Sequence, residues 1–576
     1  MLQLSAIYEH YDGMNLDSVY KALRNKDLAD CVLAATKALE QSNKWMEFEH
    51  KKKSELISLG HGSRGSKAFC DDEFQMSLEN YNMALMRAPF DSEAMRLSYY
   101  ARAGLFMKVK KYQACVKDVE TCLALSCSDS MAQKLRDMKD IASNFIWVDE
   151  LDNKHTQTSK AFSEEFFTLK GARNPDIPCA TSHVEVNMES GKPKVVAARD
   201  IPVGTVVAVE TAFIGAINMK NYLISCHYCH KMDLNLKPCD GCCSVMFCDN
   251  HCKDKAMQDG HNIECKIIDD IMIVDDIKLP VRATLKMRRL CSSWDEFITA
   301  SYELGNDRME NSSIAEIFGS QKFALLNSHY DTHFIYGALL NRCLYLANII
   351  HYLDVNTSFL PDSPIEKTAA IRALGRVMMH LALHCTPVKL KQYITLCAEG
   401  RTILHNYPNK GYFPFLGNLN NSCLPNAYVV GLRNSAALVT LAPVKKGAEL
   451  TISYIGHWLE EVPTEKFMRA KKMFIHYRTV CKDCVICGGW ADDIMLSSRL
   501  SNAQEKAFQK FMSYANTMVN LSKTIKSDYK ETCKILLALS DAPCSKEYVK
   551  AFVSFVECIK HCVQFKFPNE IMSAYD

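Results

Sequence analysis

The sequence predicts an α+β multidomain protein, in which a β-rich core is split by a cysteine-rich metal-binding segment and a helical insert. Apolar residues recur every three or four positions over 1–145 and again from 495 onward, which favours helical regions on both flanks. Alternating apolar residues over 180–210 and 410–455 favour strands. Between these strand-rich parts, eight cysteines and a histidine fall within forty residues.

The N-terminal flank contains two similar stretches, Met76–Leu85 and Ala114–Leu123, at an offset of 38 residues. Pro89 follows the first stretch, and Ser98–Gly104 opens the next helical hairpin. The pattern resembles a pair of tetratricopeptide (TPR) repeats with a lengthened turn, because the usual period is about 34 residues. A plain helical bundle is the alternative.

Short apolar segments separated by turns predict the strands of the core. Asp200–Thr205 carries the Pro and Gly of a turn. The segments predicted as strands are His183–Asn187, Lys194–Ala198, Val206–Thr211, Ala427–Gly431 and parts of Ala437–Tyr454.

The cysteine-rich segment has the ligand spacing of structural zinc sites. Four close pairs of ligands suffice for two tetrahedral Zn²⁺ sites, and only Cys243 is left over. Because the segment has few large apolar residues, metal binding would supply its folding free energy. Disulfides are the alternative, but nothing in the chain suggests export. The eight candidate ligands are Cys226, Cys229, Cys239, Cys242, Cys248, Cys252, His261 and Cys265.

Composition narrows the possible classes of protein. A chain of 576 residues with 48% apolar and 23% charged residues should form two to four ordinary globular domains. The net charge of +2 gives no overall basic surface, so direct nucleic-acid binding is not expected. Met1–Ser5 lacks the features of a signal peptide, and no apolar run is long enough for a bilayer. Twenty-six cysteines then indicate a reducing compartment, the cytoplasm, the nucleus or both.

The cysteine spacing resembles the MYND zinc finger, in which ligand pairs interleave. The resemblance implies one zinc held by Cys226, Cys229, Cys248 and Cys252, and a second held by Cys239, Cys242, His261 and Cys265. MYND fingers mostly bind partner proteins, so this motif does not define an activity.

Later phrases resemble the SET domain, and the split by a MYND finger resembles the plan of the SMYD lysine methyltransferases. The N-terminal TPR-like segment is similar to the branch of that family that carries one. The phrases are Ala197–Glu210, Gly411–Pro414, Asn420–Asn426 and Glu449–Tyr454.

The resemblance implies methyl transfer from S-adenosylmethionine (SAM) to a lysine of a histone or non-histone protein, with a possible role in transcription. Tyr454 would be the catalytic tyrosine and would also line the cofactor site. The other implied cofactor contacts are Gly191, Lys192, Pro193, Asn420 and Asn421. A third zinc would be held by Cys423, Cys481, Cys484 and Cys487, although the spacing of Cys481 and Cys484 is one residue longer than usual.

Several cofactor positions depart from the family pattern. Pro193 stands in the glycine-containing turn, and proline lacks an N–H. Thr386 takes the place of an asparagine, Asn421 that of a histidine, and Thr479 or Val480 that of an aromatic residue. These departures keep a second hypothesis open, a catalytically weak or inactive scaffold that binds partner proteins.

The same resemblance sets the expected organisation, that of a monomer which meets proteins through its MYND and TPR-like surfaces. The expected regions are a TPR-like domain at 1–150, SET parts at 180–225 and 406–480, the MYND finger at 226–265, a helical insert at 266–405, a post-SET cluster at 481–493 and a helical region at 494–576.

Overall fold

The computed structural model describes most of the chain, and all structural statements below concern the described residues. These are 11, 13–25, 28–48, 50–147, 164–189, 192–304, 313–319, 322–327, 336–385, 387–390, 393–398, 401–406, 409–454, 499–515 and 521–566.

Seven helices occupy the described part of the N-terminal region. Ser54, Ser92 and Ser128 cap three of them, each accepting a hydrogen bond from a backbone N–H in the first turn. From α3 onward, each helix packs on the next, as in consecutive helical hairpins. The helices are α1 Asp17–Arg24, α2 Leu28–Ser42, α3 Glu55–Cys70, α4 Phe74–Arg87, α5 Glu93–Lys108, α6 Tyr112–Leu123 and α7 Asp129–Ser143.

The β core is assembled from two stretches of chain on either side of the finger and the insert. An antiparallel hairpin, β1–β2, precedes a three-stranded sheet of order β12-β13-β3. Strand β4 pairs with β10, and β11 pairs in parallel with β14. The strands are β1 Val184–Glu189, β2 Lys192–Ala197, β3 Val206–Thr211, β4 Ile214–Ala216, β10 Asn409–Tyr412, β11 Asn420–Asn421, β12 Ala427–Leu432, β13 Ser435–Thr440 and β14 Thr451–Ile452.

The finger lies between β4 and the insert. It contains a short hairpin of β5 and β6, followed by a helical segment in which Gly260 adopts a φ of +116°. That φ favours glycine and separates two helical pieces on either side of it. The elements are β5 Lys237–Pro238, β6 Met246–Phe247, α8 Asn250–Ala256, a π turn at Met257–His261 and α9 Asn262–Glu264.

The insert is helical up to His384 and then changes to strands. The expectation of helix throughout 266–405 is therefore wrong for its last part. Tyr, Ile, Thr and Val are concentrated there, and these residues favour strands. The elements are α10 Ile268–Ile273, α11 Asp275–Leu290, α12 Trp294–Ala300, α13 Ile314–Gly319, a 3₁₀ turn at Ala324–Asn327, α14 Tyr336–Asn356, α15 Pro364–His384, β7 Val388–Leu390, β8 Tyr393–Ala398 and β9 Arg401–Asn406.

Three C-terminal helices pack on the outer face of the β12-β13-β3 sheet. Their aromatic residues share a buried cluster with Val430 and Val439 of that sheet. The last strand, β15, pairs in parallel with β8, so this end of the chain is not entirely helical as expected. The elements are α16 Asn502–Ala515, α17 Leu521–Ala538, α18 Lys546–Val563 and β15 Gln564–Lys566.

Gly204 shows why the turn before β3 contains glycine. Its φ is +75°, and a Cβ there would clash with the Sγ of Cys533 on α17. Tyr529 of the same helix donates a hydrogen bond to the Gly204 carbonyl. The turn therefore permits close packing between the core and the C-terminal helices. Among the described helices, none is both long and apolar enough to cross a membrane.

Candidate zinc centres and cofactor site

The first ligand group brings together two cysteine pairs that are far apart in sequence. The Sγ atoms of Cys226, Cys229, Cys248 and Cys252 all lie within 4.8 Å of one another. Cys229 and Cys248 are 3.6 Å apart, close to the ~3.8 Å that tetrahedral zinc with thiolate ligands requires. The donor set and its spacing therefore fit Zn²⁺.

The second ligand group has three cysteines and one histidine. Cys239, Cys242, Cys265 and the ring of His261 also lie within 4.8 Å of one another. His261 Nε2 is 3.5 Å from Cys239 Sγ and 3.9 Å from Cys242 Sγ. Four ligands complete a tetrahedral shell, so this group fits a structural zinc with no open position for a substrate.

A buried carboxylate orients the histidine of the second group. His261 Nδ1 lies 2.9 Å from the Oε2 of Glu264, which leaves Nε2 for the metal. Glu264 also pairs with Arg282 Nε of α11 at 2.6 Å. Arg282 in turn donates to the backbone carbonyl of Gly215 in β4. One ion pair thus connects a zinc ligand, the insert and the β core.

His227 completes this cluster and was not predicted. Its Nε2 lies 3.1 Å from Glu264 Oε2 and 2.9 Å from Arg282 Nη2. Burial, together with the Arg282 charge, lowers the pKa of His227 to about 4, so the ring is neutral. Sequence reasoning passed over Glu264 although it stands three residues after His261, the spacing of neighbours on one helix face.

The N-terminal helices pack against the finger through a buried ion pair. Arg102 of α5 and Asp118 of α6 have side chains 0% and 1% exposed, and their Nε–Oδ2 distance is 2.6 Å. Arg102 also donates to the Leu236 carbonyl of the finger at 3.1 Å. Asn235, the preceding finger residue, donates to Asp118 at 2.8 Å. The pair therefore belongs to the interface between the two regions.

Lys53 makes a second connection to the finger. The basic run Lys51–Lys53 reads as a solvated face from the sequence, yet Lys53 Nζ donates to the Cys239 carbonyl at 2.6 Å and to the Met86 carbonyl at 2.8 Å. The expectation is wrong for Lys53, because two backbone carbonyls and nearby cysteines compensate the cost of burying its charge.

Tyr454 lies where β11 and β14 run side by side. Its hydroxyl donates to the Leu419 carbonyl at 2.7 Å, and its backbone N–H donates to Asn421 Oδ1 at 3.0 Å. The pairing of Asn420 with Thr451 sets the register between the two strands. Three of the predicted site residues, Asn420, Asn421 and Tyr454, are thus close together.

Glu449 joins this group to the β1–β2 hairpin. Its Oε1 accepts a hydrogen bond from Asn420 Nδ2 at 2.6 Å, and its Oε2 lies 3.8 Å from Lys194 Nζ. Its backbone pairs with Val196 of β2. Lys192 and Pro193, the predicted contacts of the hairpin, directly precede Lys194, and Pro193 is buried.

Glu210 fixes the turn that leads into β11. Its carboxylate accepts hydrogen bonds from the N–H groups of Phe415 and Leu416 at 2.8 and 2.9 Å. Burial raises the pKa of this carboxyl to about 7, against the effect of its two donors. The turn continues to Leu419, the acceptor of the Tyr454 hydroxyl, so Glu210 supports the position of that acceptor.

The remaining predicted residues can be placed only in part. Cys423 is buried directly after β11. Gly191, Thr386, Thr479 and Val480 lie outside the described residues. So do the other three predicted ligands of the third zinc, which are Cys481, Cys484 and Cys487.

Fold and site together define an α+β multidomain protein whose split β core contacts a cysteine-rich module fit for two zinc ions. No protein-family model matches the chain. Curated proteins do match it: the protein-lysine N-methyltransferase SMYD4 of Pongo abelii is 21% identical over 541 residues, 74% of this chain and 66% of that protein.

Two further relatives match shorter parts. The histone-lysine N-methyltransferase Smyd1 of Mus musculus is 23% identical over 333 residues, 55% of this chain and 58% of its own. The histone-lysine N-methyltransferase ASHR1 of Arabidopsis thaliana is 21% identical over 290 residues, 48% of this chain and 50% of its own. The match thus spans half to two thirds of these relatives' length. The predicted resemblance to the SMYD proteins is confirmed, at low identity.

Proposed function

We propose that the chain is a SAM-dependent protein-lysine N-methyltransferase. The observation that carries the proposal is the hydrogen bond from Tyr454 to the Leu419 carbonyl, beside the parallel pair β11–β14. A hydroxyl and a backbone carbonyl held this close would suit the polar end of a narrow channel for a lysine amine. The relatives SMYD4 and Smyd1, both named lysine N-methyltransferases, support the same reaction class.

In this proposal the protein contributes positioning and electrostatics. SAM, when bound, supplies an activated methyl group on its sulfonium. Tyr454 orients the lysine amine in its neutral form and stabilises the polar transition state. Asn420, Asn421 and the Lys192–Pro193 end of the hairpin would hold the cofactor. The hairpin offers the cofactor one backbone hydrogen-bond donor fewer than the glycine turn of the family pattern, because Pro193 has no N–H.

The zinc sites of this proposal are structural. The two described ligand groups each hold four ligands and would bind one Zn²⁺ each. Cys423 with Cys481, Cys484 and Cys487 would hold a third ion and close the C-terminal side of the cofactor site. The finger, the TPR-like helices and the C-terminal helices would contact protein substrates or partners, in the cytoplasm, the nucleus or both. Histone and non-histone proteins are the proposed substrates, with a role in transcriptional regulation.

A scaffold without methyl transfer is the second candidate. The observation that favours it is the buried Pro193, which removes a backbone donor where the family pattern has a glycine turn. Several such losses, at about 0.5–1.5 kcal/mol each, would weaken SAM binding by one to a few powers of ten.

Calorimetry with SAM and S-adenosylhomocysteine separates the two candidates. If the chain is a methyltransferase, the binding of SAM should give a measurable heat, and Asn420→Ala should weaken that binding. The matched control is Asn356→Ala, at an exposed position near the end of α14. Absence of heat at millimolar ligand, from protein with its zinc in place, would favour the scaffold.

A further inference from the structure

Glu449 contacts both sides of the proposed cofactor site. On one side is the hairpin, through Lys194 at 3.8 Å and the backbone bridge to Val196. On the other side is β11, through Asn420 at 2.6 Å. With a side chain 25% exposed, Glu449 keeps these contacts at the edge of solvent.

The bond to Glu449 also decides which way the Asn420 amide points. An ionised carboxylate has acceptors only, so the amide must turn its NH₂ group toward Glu449. The carbonyl oxygen, Oδ1, then lies on the other side of the amide. An acceptor in that position suits a cationic donor, such as the ammonium of an amino acid.

The neighbouring bonds make the arrangement rigid. Asn426 Nδ2 donates to the Glu449 carbonyl at 2.7 Å, and Asn426 Oδ1 accepts from Thr451 N at 2.9 Å. Leu450 N donates to the Val195 carbonyl at 2.8 Å. Ala197 N donates to the Ala448 carbonyl at 2.9 Å, so backbone bonds on both sides of the Glu449 Cα hold this residue in place beside Asn420.

We propose that Glu449 is the positioning residue of the cofactor site: it joins the hairpin to β11 and fixes the Asn420 amide with its acceptor toward the amino-acid part of the cofactor. The inference rests on the proposed SAM site, and it adds a residue that need not touch SAM. Lys194 is the second member of the link, and it transmits the position of Glu449 to Lys192 and Pro193.

The test compares Glu449→Gln with the control Glu189→Gln. Glu189 also pairs with Lys194, at 2.9 Å, but both of these residues lie on the hairpin itself. A glutamine at 449 can accept from or donate to Asn420, so the amide is no longer fixed.

Three ligands are titrated by calorimetry: SAM, S-adenosylhomocysteine and methylthioadenosine, which lacks the amino-acid part. Glu449→Gln should weaken the first two about tenfold and leave the third unchanged, while Glu189→Gln should match the wild type in all three. Equal weakening for all three ligands would mean a general loss of structure and would overturn the amide assignment. Unchanged affinity for all three would overturn it as well.

Hydrogen exchange without ligand tests the link separately. Glu449→Gln should speed amide exchange in both 184–197 and 420–422, whereas unchanged exchange in either would refute the link. If that variant does not fold, Lys194→Met should speed exchange in the hairpin alone, and no change there would also refute it. If the wild type binds none of the ligands, the proposed function fails, and exchange alone decides whether Glu449 joins the two segments.

Discussion

At the scale of single residues, Tyr454 owes its position to bonds at both ends. Its hydroxyl reaches the Leu419 carbonyl, and its backbone is held by the side chain of Asn421. The ring also packs against the apolar cluster of the β core. Removing the hydroxyl should therefore leave the ring in place.

Tyr454→Phe should lower turnover strongly and leave SAM affinity nearly unchanged, because the hydroxyl is proposed to act on the lysine amine in the transition state. Loss of one hydrogen bond should cost about 1 kcal/mol of stability. Labelled methyl transfer from SAM to protein substrates measures the first effect, and thermal unfolding the second. Tyr302→Phe, in an exposed part of the insert, is the control. Equal turnover in Tyr454→Phe and wild type would exclude Tyr454 from the mechanism.

Glu210 should make stability depend on pH in a defined direction. Its folded pKa of about 7 lies above the ordinary value of 4.5, so the folded protein holds this proton more tightly than the unfolded chain. The resulting stabilisation is complete below pH 4.5 and is lost as pH rises through 7.

Glu210→Gln should remove that dependence. Between pH 5.5 and 8, the free energy of unfolding of the wild type should fall by about 2 kcal/mol relative to the variant. Denaturant unfolding at several pH values measures the free energy of unfolding of both proteins. The zinc ligands are the same in both, so their titration cancels in the difference. A constant difference across this range would show that Glu210 is ionised throughout.

At the scale of elements, the finger has only short strands and helices, so its fold is predicted to depend on metal. Each zinc would take one cysteine pair from one part of the segment and a second pair of ligands from a later part, so each ion would join separate turns. Wild-type protein should contain three zinc ions, because twelve candidate ligands form three groups of four. Metal analysis of protein purified without chelator measures this number.

Single substitutions of cysteine show which group of ligands holds each zinc ion. Cys239→Ser should remove one zinc and unfold the finger locally, since a site with three ligands loses both metal and fold. Cys423→Ser should also remove one zinc but leave the finger intact, as seen by limited proteolysis. Cys243→Ser, beside a ligand but outside both groups, should keep all three ions. Two ions in the wild type would show that the Cys481–Cys487 spacing does not support the third site.

Prediction from sequence succeeded where local signals were strong. Cysteine spacing gave the eight candidate ligands, and the resemblance to the MYND finger implied their division into the two groups that lie together in the structure. Alternation located the hairpin and the strands β3, β12 and β13. The strands β7 to β9 were missed because they follow directly after a long helix with only a short break. Arg282 and Glu449 could not be assigned a role, because Gly215 and Asn420, their partners, lie 67 and 29 residues away and come near only by folding. Glu264 was missed although His261, one of its partners, is three residues away.

At the scale of the whole molecule, the interface between the N-terminal helices and the finger depends on a buried charge pair. Breaking such a pair by removing one partner costs about 3–5 kcal/mol, because the remaining charge stays buried. Arg102→Ala should therefore destabilise the protein by about that amount and loosen the contact with Leu236. Thermal unfolding and proteolysis between 50 and 147 measure these effects.

Arg96→Ala is the matched control for that interface. Arg96 lies on the same helix and pairs with Asp91, but the two side chains are 18% and 33% exposed. Its loss should cost about 1 kcal/mol or less. Similar destabilisation by both variants would contradict a special role for the Arg102–Asp118 pair.

The split of the core has a consequence for synthesis on the ribosome. Glu210 in β3 accepts hydrogen bonds from residues 205 and 206 positions later, and Thr211 at the end of β3 shares one with a residue 224 positions later. At about 5–20 residues per second, β3 emerges roughly 10–40 s before its partner strand. During that interval its edge is open, while the zinc finger that follows it can already fold. Nascent chains stopped near residue 300 should therefore carry a metal-loaded finger beside an unpaired, aggregation-prone strand.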